Sequence, residues 1–191
     1  NINKITNPFV ISGNIDFTST LKGLINKKNN PFFRIDYTIS NSYFKLKSNP
    51  FRLQNIEMSG SANNGKDKNY SSTFISANSF SAESLKGNIT GNFNLKNLNN
   101  YYINTEFTSS WELNEVNTYF KKSPFKNLSG RLFTNTVYNG NVSFHSGFKK
   151  MFLSAKHYSD IKLQNIKFKY TNSLLKFDVK SADLTINKQK M

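Results

Sequence analysis

Residues with catalytic or metal-binding chemistry are scarce in this sequence. It holds no cysteine, 2 histidines and 11 carboxylates among 191 residues. His157 has Asp160 three residues further on, but one imidazole and one carboxylate supply too few ligands for a metal ion. We therefore interpret His157 and the other histidine, His145, as surface residues, and we expect neither a metal site nor a cofactor.

The carboxylates show no arrangement that marks an active site. Most of them alternate with apolar residues, so they fall on what we predict to be the solvent faces of strands. No glycosidase pair, nucleophile elbow, phosphate-binding loop or dinucleotide motif is recognisable. We therefore predict that the chain is not an enzyme.

The charge is strongly basic but diffuse. The formal net charge is +15, and only three of the 26 basic residues are Arg. A nucleic-acid-binding protein more often shows a concentrated patch with more Arg, so we expect no nucleic-acid partner. Two explanations stay open: the codon usage of an AT-rich genome, which favours Lys, and attraction to an anionic membrane surface.

Apolar and polar residues alternate over most of the chain. Successive side chains of a strand point to opposite faces, so each segment has one apolar and one polar face. Asn-rich turns, such as those at 61–69, 97–100 and 138–141, separate the segments. The pattern predicts an all-β, mainly antiparallel fold, arranged as a meander, sandwich or barrel. The apolar residues that share a face within one segment are Phe33, Ile35, Tyr37 and Ile39; Ile89, Phe93 and Leu95; and Ile103, Phe107 and Trp111.

One segment, at 111–122, has a helical period instead. Leu113, Val116 and Phe120 stand at i, i+3 and i+7, which places them on one side of a helix. Acidic residues in the first turns and lysines at the end suit the helix dipole, and Pro124 would stop the helix. We predict about three turns, packed across the sheet, with this stripe anchoring the helix to the end of the sheet. The charged residues concerned are Glu112, Glu115, Lys121 and Lys122.

Two segments resemble each other internally. FRLQNIEMSG at 51–60 and IKLQNIKFKY at 161–170 share the letters LQNI, and in both the apolar phase slips by one residue at Gln-Asn. Such a slip predicts a β-bulge or a strand boundary. We interpret residues 1–191 as one β-rich segment of a larger protein, with divergent repeats of about 1–60, 61–130 and 131–191.

Four successive stretches follow a recognisable order: a strand with Gly-x-hydrophobic-x-Gly, a second strand, a short helix, and a strand that begins Leu-Ser-Gly. They read GNITGNFNLKNLNN, YYINTEFTSS, WELNEVNTYF and NLSGRLFTN. This order resembles the AsmA-like family of bacterial envelope proteins, which includes TamB-related members, and most closely its Bacteroidota forms. The resemblance covers most of residues 31–187, although the Asn-rich turns and the lack of an N-terminal anchor depart from a full-length member.

The resemblance implies a function in lipid transport. Such proteins are anchored at the inner membrane and extend through the periplasm as a curved β-sheet whose groove carries phospholipid acyl chains toward the outer membrane. It implies acyl chains as ligands, a membrane reached through regions outside this segment, and envelope proteins as partners. On this interpretation the groove candidates are Phe33, Ile35, Tyr37, Ile39, Ile89, Phe93, Leu95, Ile103, Phe107 and Trp111.

Two other classes of protein stay open on the residues alone. The first is a structural or adhesive β-sandwich of a bacterial cell-surface protein, in which the same apolar faces would form a closed core. The second, less favoured, is a carbohydrate-active or nucleic-acid-binding β-domain. An open groove, unlike a closed core, would expose a large apolar patch that demands a ligand or partner.

Overall fold

The computed structural model describes residues 9–24, 26, 30–47, 50–119, 123–142, 156–171 and 175–188. They form one antiparallel sheet of nine strands and one short helix, which confirms the all-β prediction. The elements are β1 (Phe9–Lys22), β2 (Phe32–Leu46), β3 (Arg52–Asn63), β4 (Phe74–Glu83), β5 (Gly87–Lys96), β6 (Tyr102–Glu112), α1 (Leu113–Thr118), β7 (Phe125–Asn141), β8 (Lys156–Tyr170) and β9 (Lys176–Lys188).

The sheet is a meander in which every strand pairs with the strands before and after it in the chain. It does not close, so β1 and β9 are its two edges. Within the described ranges there is no second sheet, and α1 is the only helix. Of the arrangements that the alternation allowed, the structure is therefore the open meander.

The two faces of the sheet follow from its register, because direct partners in an antiparallel ladder project to the same side. One row of partners crosses all nine strands, and we call the side to which it projects the apolar face. The opposite side is the polar face. The defining row is Ile15, Ile39, Met58, Phe80, Gly91, Phe107, Thr136, Ser159 and Ile186.

The predicted slips at Gln-Asn coincide with irregular pairing. The β3–β4 register shifts between Gln54 and Glu57, and β8 has an extra residue opposite β7 between Gln164 and Lys167. Asn55 and Asn165 have φ of 49° and 51°, in the left-handed region that Asn tolerates better than most residues. The slip returns the apolar residues that follow each Asn to the apolar face.

The helix is shorter than the sequence indicates, because α1 has six residues, fewer than two turns. Phe120, Lys121 and Lys122 lie outside the described residues. Of the expected stripe, Leu113 is buried and Val116 is half-buried, and Glu115 is buried beside them, which the stripe did not predict. Glu115 is buried because its carboxylate binds the β4–β5 turn, as shown below.

Asn165 provides a test of the slip, since its left-handed backbone favours glycine. We expect Asn165→Ala to be less stable than Asn165→Gly by about 1 kcal/mol, because a Cβ is strained at positive φ. The measurement is the free energy of unfolding in urea. Asn92 is the matched control: it is exposed on β5 and is not among the residues with positive φ. At this position the Ala variant should have a free energy of unfolding roughly 0.5–1 kcal/mol higher than that of the Gly variant. If the Ala variant were the more stable one at both positions, or the Gly variant at both, this account of the slip would be contradicted.

Candidate lipid-binding face

The ten predicted groove residues all lie on the apolar face. Those on β2 pair through β3 and β4 with those on β5 and β6, as in the row from Ile35 through Ala62 and Ile75 to Leu95 and Ile103. Nine of the ten are half-buried, and Phe33 is 37% exposed. Each side chain is therefore only partly covered by its neighbours.

The described residues hold no tightly packed interior. No large side chain among them is fully buried. A packed core residue normally touches side chains of an opposing layer, which is how closed sandwiches bury large residues completely. In this single-layer sheet, the side chains of the apolar face have no opposing layer to touch among the described residues. The buried apolar residues are Ala77, Ala82, Leu113, Tyr138, Val142 and Ile166.

The most exposed part of the apolar face was not among the predicted groove residues. It lies on the edge strand β1, where four large side chains are 60–63% exposed and pair with apolar residues of β2. Alternation in the stretch FVISGNIDFTSTL is the signal that could have identified them, with Gly13 standing at one of the inward positions. The four residues are Ile11, Ile15, Phe17 and Leu21.

Small polar residues interrupt the apolar face on β6, β7 and β8, but they satisfy one another. Ser109 and Thr134 share a hydrogen bond of 2.7 Å, and the Thr136 hydroxyl donates to Ser159 Oγ at 3.0 Å. Their hydroxyls are paired across strands, so they place no unpaired polar group on this face.

His157 lies on this same face, as the register partner of Tyr138, and is 6% exposed. The interpretation of His157 as a surface residue is therefore wrong. The strand places it at an inward position beside a large aromatic ring. His145 lies outside the described residues.

The polar face is a ladder of hydroxyls and amides. Thr90 and Thr108 share a hydrogen bond of 2.9 Å, and Ser110 donates to Asn88 at 3.0 Å. These groups bind one another and remain exposed to water. The sheet is therefore amphipathic as a whole, which is the property that its sequence alternation predicts.

Aromatic rings form a row along the end of the sheet where β6 leads into α1, here called the α1 end. Phe44 lies 5.9 Å from Phe9 and 6.4 Å from Phe51, measured between ring centroids. Phe51 packs edge-on at 5.2 Å against Tyr119, which in turn lies 6.5 Å from Trp111. These contacts join β1, β2 and the residue before β3 with the residue after α1 and with β6.

Glu115 fixes α1 to the turn between β4 and β5. Its carboxylate accepts hydrogen bonds from Ser84 Oγ at 2.8 Å, from the backbone N–H of Lys86 at 2.7 Å and of Leu85 at 3.1 Å, and from the Tyr119 hydroxyl. Burial alone would raise the pKa of this carboxyl, which is 5% exposed. The four donors favour the ionised form more strongly and leave its pKa below the ordinary value.

Tyr119 responds in the opposite sense. Burial, and then its hydrogen bond to the Glu115 carboxylate and the charge there, raise the pKa of its hydroxyl. Tyr119 therefore stays a donor over the whole physiological range. The hydrogen bonds of the Glu115 carboxylate and the Tyr119 phenol hold the helix in place. The ring of Tyr119 packs within the aromatic row.

The clefts of the described chain lie away from the predicted groove residues. A shallow cleft of about 600 Å³ lies among β7, β8 and β9 and includes none of the ten groove candidates. No group of three or more potential metal ligands occurs among the described residues. No helix in the described ranges is long and apolar enough to cross a membrane.

Comparisons with protein-family models, with curated proteins and with solved structures found no match for this chain.

The carboxylate of Glu115 generates a stability prediction. Gln in its place keeps one acceptor oxygen, so about half of the four donors lose their partner, and we expect Glu115→Gln to cost about 1–3 kcal/mol at neutral pH. Because the folded-state pKa lies below the ordinary value, the advantage of Glu115 over Gln should be complete above that ordinary value. It should shrink as pH falls through the lower folded value.

The measurement is urea unfolding of both proteins across the acidic range. Glu106→Gln is the control, because Glu106 is an exposed carboxylate on the polar face of β6. Its substitution should change the free energy of unfolding by less than about 0.5 kcal/mol. A pH-independent gap between Glu115→Gln and the parent would contradict the assigned titration.

Proposed function

We propose that this chain is a non-enzymatic, lipid-binding segment of an AsmA-like envelope protein. Its apolar face would hold phospholipid acyl chains in the periplasm and contribute to phospholipid transport between the inner and outer membranes, and so to outer-membrane biogenesis. The observation that carries the proposal is the single-layer sheet, whose apolar face has no opposing layer among the described residues.

The physical argument starts from the exposed apolar area. Large contiguous apolar patches are rare on soluble proteins, and they mark surfaces that a ligand or partner covers. An acyl chain gains about 0.8 kcal/mol for each CH₂ that it buries. This gain needs no directional bond, so an acyl chain can slide from one row of side chains to the next without breaking a hydrogen bond.

The geometry suits a path across the strands. Every strand contributes at least one apolar side chain to the apolar face, from Ile15 on β1 to Ile186 on β9. Nine strands have eight spacings of about 4.8 Å, so the path measures roughly 38 Å along the sheet. Apolar side chains are therefore available on every strand over a distance longer than a single acyl chain, with the paired hydroxyls of β6 to β8 between some of them.

The closed β-sandwich is less favoured by the same observation. A structural or adhesive sandwich covers its inner face with a second sheet, at a separation of about 10 Å. The described residues make one sheet, and its apolar residues stay half-exposed. Such a surface is suited to the binding of apolar ligands, which supports the proposal.

The only tryptophan is a direct probe of the proposed site. Trp111 lies on the apolar face, paired with Gly87 and Leu132. We expect phospholipid with brominated acyl chains to quench its fluorescence, because bromine quenches an indole only on contact. The same phospholipid without bromine is the control and should not quench. Equal emission with both lipids, at concentrations where lipid binds by mass spectrometry, would rule out contact at this face.

Replacing apolar side chains at the centre of the face tests whether lipid binding depends on it. Phe93→Asp with Phe107→Asp should reduce co-purifying phospholipid on the order of 10-fold or more, since two ionised groups would then face the acyl chain. The measurement is native mass spectrometry with lipid extraction of the same sample. Circular dichroism checks that the variant is folded.

A matched control places the same charges on the other side of the same strands. Asn94 and Thr108 lie on the polar face, so Asn94→Asp with Thr108→Asp should leave the amount of bound lipid unchanged. A folded parent protein without lipid would favour the closed β-domain. Equal loss in both double variants would show that added charge, rather than the face, decides lipid binding.

A further inference from the structure

Three lysines face one another across β7, β8 and β9. Lys126 is the register partner of Lys169, and Lys169 is the register partner of Lys176. Direct partners project to the same side with their Cβ atoms about 4.5–5.5 Å apart, where like charges destabilise the sheet. This row therefore works against folding, and a contribution to fold stability does not account for it.

Neighbouring positions on the same face pair opposite charges instead. Lys167 forms a salt bridge of 3.1 Å with Asp178, and Arg131 forms one of 3.4 Å with Glu112. None of the three lysines of the row forms a salt bridge with a carboxylate in the described part of the chain. The row therefore differs from these two neighbouring positions, where each cation is paired with a carboxylate.

The other side of the same strand ends carries a cluster of exposed apolar residues. Phe168 stacks on Phe177 at 4.6 Å and meets Phe125 edge-on at 5.2 Å, and Phe125 lies 6.5 Å from Tyr170. Phe125, Phe177 and Tyr170 are 38–43% exposed, and Leu175 beside them is 63% exposed. We call the three lysines and these five apolar residues the β7–β9 corner.

Each lysine is adjacent in sequence to a member of the aromatic cluster, so the strands project lysines to one side and aromatic rings to the other. The slip at Asn165 places Phe168 on the apolar face. The corner is therefore a thin edge of sheet, with cations on the polar face and rings that continue the apolar face.

We propose that the β7–β9 corner docks on the surface of an anionic lipid bilayer. Aromatic side chains favour the headgroup region of a bilayer, and lysines are attracted to anionic headgroups by about 1 kcal/mol each. The lipid phosphates would supply the anions that the lysine row lacks, and the interface would cover the exposed rings. This contact is a property of the described chain itself and does not require a transmembrane anchor.

A nucleic acid fits this arrangement less well. Single-stranded nucleic acid is held by cations and by aromatic rings that stack on bases in the same groove. At the β7–β9 corner the lysines and the rings lie on opposite faces, so one strand of nucleic acid would not reach both. A bilayer surface reaches both, because the corner can enter the headgroup layer edge-first.

The contact also indicates where lipid would move between the bilayer and the protein. The ring cluster lies at one margin of the apolar face, so an acyl chain leaving the bilayer at this corner would meet that face directly. This last step rests on the proposed lipid-binding function, whereas docking on the bilayer does not.

The test is co-sedimentation of the whole chain with vesicles of phosphatidylethanolamine and phosphatidylglycerol. We expect the parent protein to bind them, and binding should fall on the order of 100-fold in the triple variant Lys126→Gln, Lys169→Gln, Lys176→Gln. The matched control removes three other lysines, Lys22, Lys66 and Lys96, in the same way. It has the same net charge as the test variant and should lose far less binding.

A second pair of variants tests the apolar part of the corner. Tyr170→Ser with Leu175→Ser should weaken vesicle binding at least several-fold, because both exposed side chains would enter the interface. Tyr70→Ser with Leu85→Ser removes the same two residue types from exposed positions elsewhere and should leave binding unchanged. Thermal unfolding of all four variants shows whether each remains folded.

Three results would overturn the proposal: no binding of the parent protein to these vesicles, equal loss of binding in the two triple variants, or tighter binding to a single-stranded oligonucleotide or to polyglutamate than to vesicles. The outcome is separable from the proposed function. Vesicle binding through the corner without quenching of Trp111 by brominated lipid would retain the docking site and reject lipid transport.

Discussion

The structure depends on one continuous backbone ladder. Each strand is held by hydrogen bonds to its sequence neighbours, and only one short helix packs against the sheet in the described chain. A fold of this kind derives its order from pairing between strands rather than from a core between layers. Its apolar face can therefore remain half-exposed without loss of the architecture, which is the condition that a surface for acyl chains requires.

A long sheet with one apolar face must keep its residues in phase on every strand. Strand alternation is strict, so a single extra residue would turn each following side chain to the wrong side. Left-handed asparagines absorb such residues: Asn41 and Asn55 on β2 and β3, and Asn127 and Asn165 on β7 and β8. The abundance of Asn thus has a structural use at these points, whatever the origin of the composition.

The helix contacts the sheet through the aromatic row and through the β4–β5 turn. At the α1 end the apolar face carries aromatic rings that have no opposing layer in the described ranges, and Tyr119 of the helix C-terminus joins that row. Glu115 holds the helix by binding the turn on which β4 and β5 meet. The lysine row and ring cluster of the β7–β9 corner lie at the same end, so the α1 end carries both the aromatic row and the row of facing lysines.

Much of this could be predicted from the sequence, because alternation is a local property of each strand. It identified the all-β class, the common face of residues such as Phe93 and Phe107 within their strands, and the slips at Asn55 and Asn165. It did not reveal that β1 is the most exposed part of the face, although the same alternation is present there. Local periodicity also overestimated the length of the helix, and it gave no sign that the turn between β4 and β5 supplies hydrogen-bond donors to Glu115.

The tertiary structure alone decided the properties that need partners distant in sequence. The number of layers, the open edges, the burial of His157 and the meeting of Lys126 with Lys169 and Lys176 depend on which strand lies beside which. A period-two pattern predicts which residues share a side of one strand. It does not predict which residue of the neighbouring strand each one pairs with, because every register shift of two residues keeps the same faces. Pairing between strands selects one register, and only that selection brings charges, rings and hydrogen-bond donors from separate segments together.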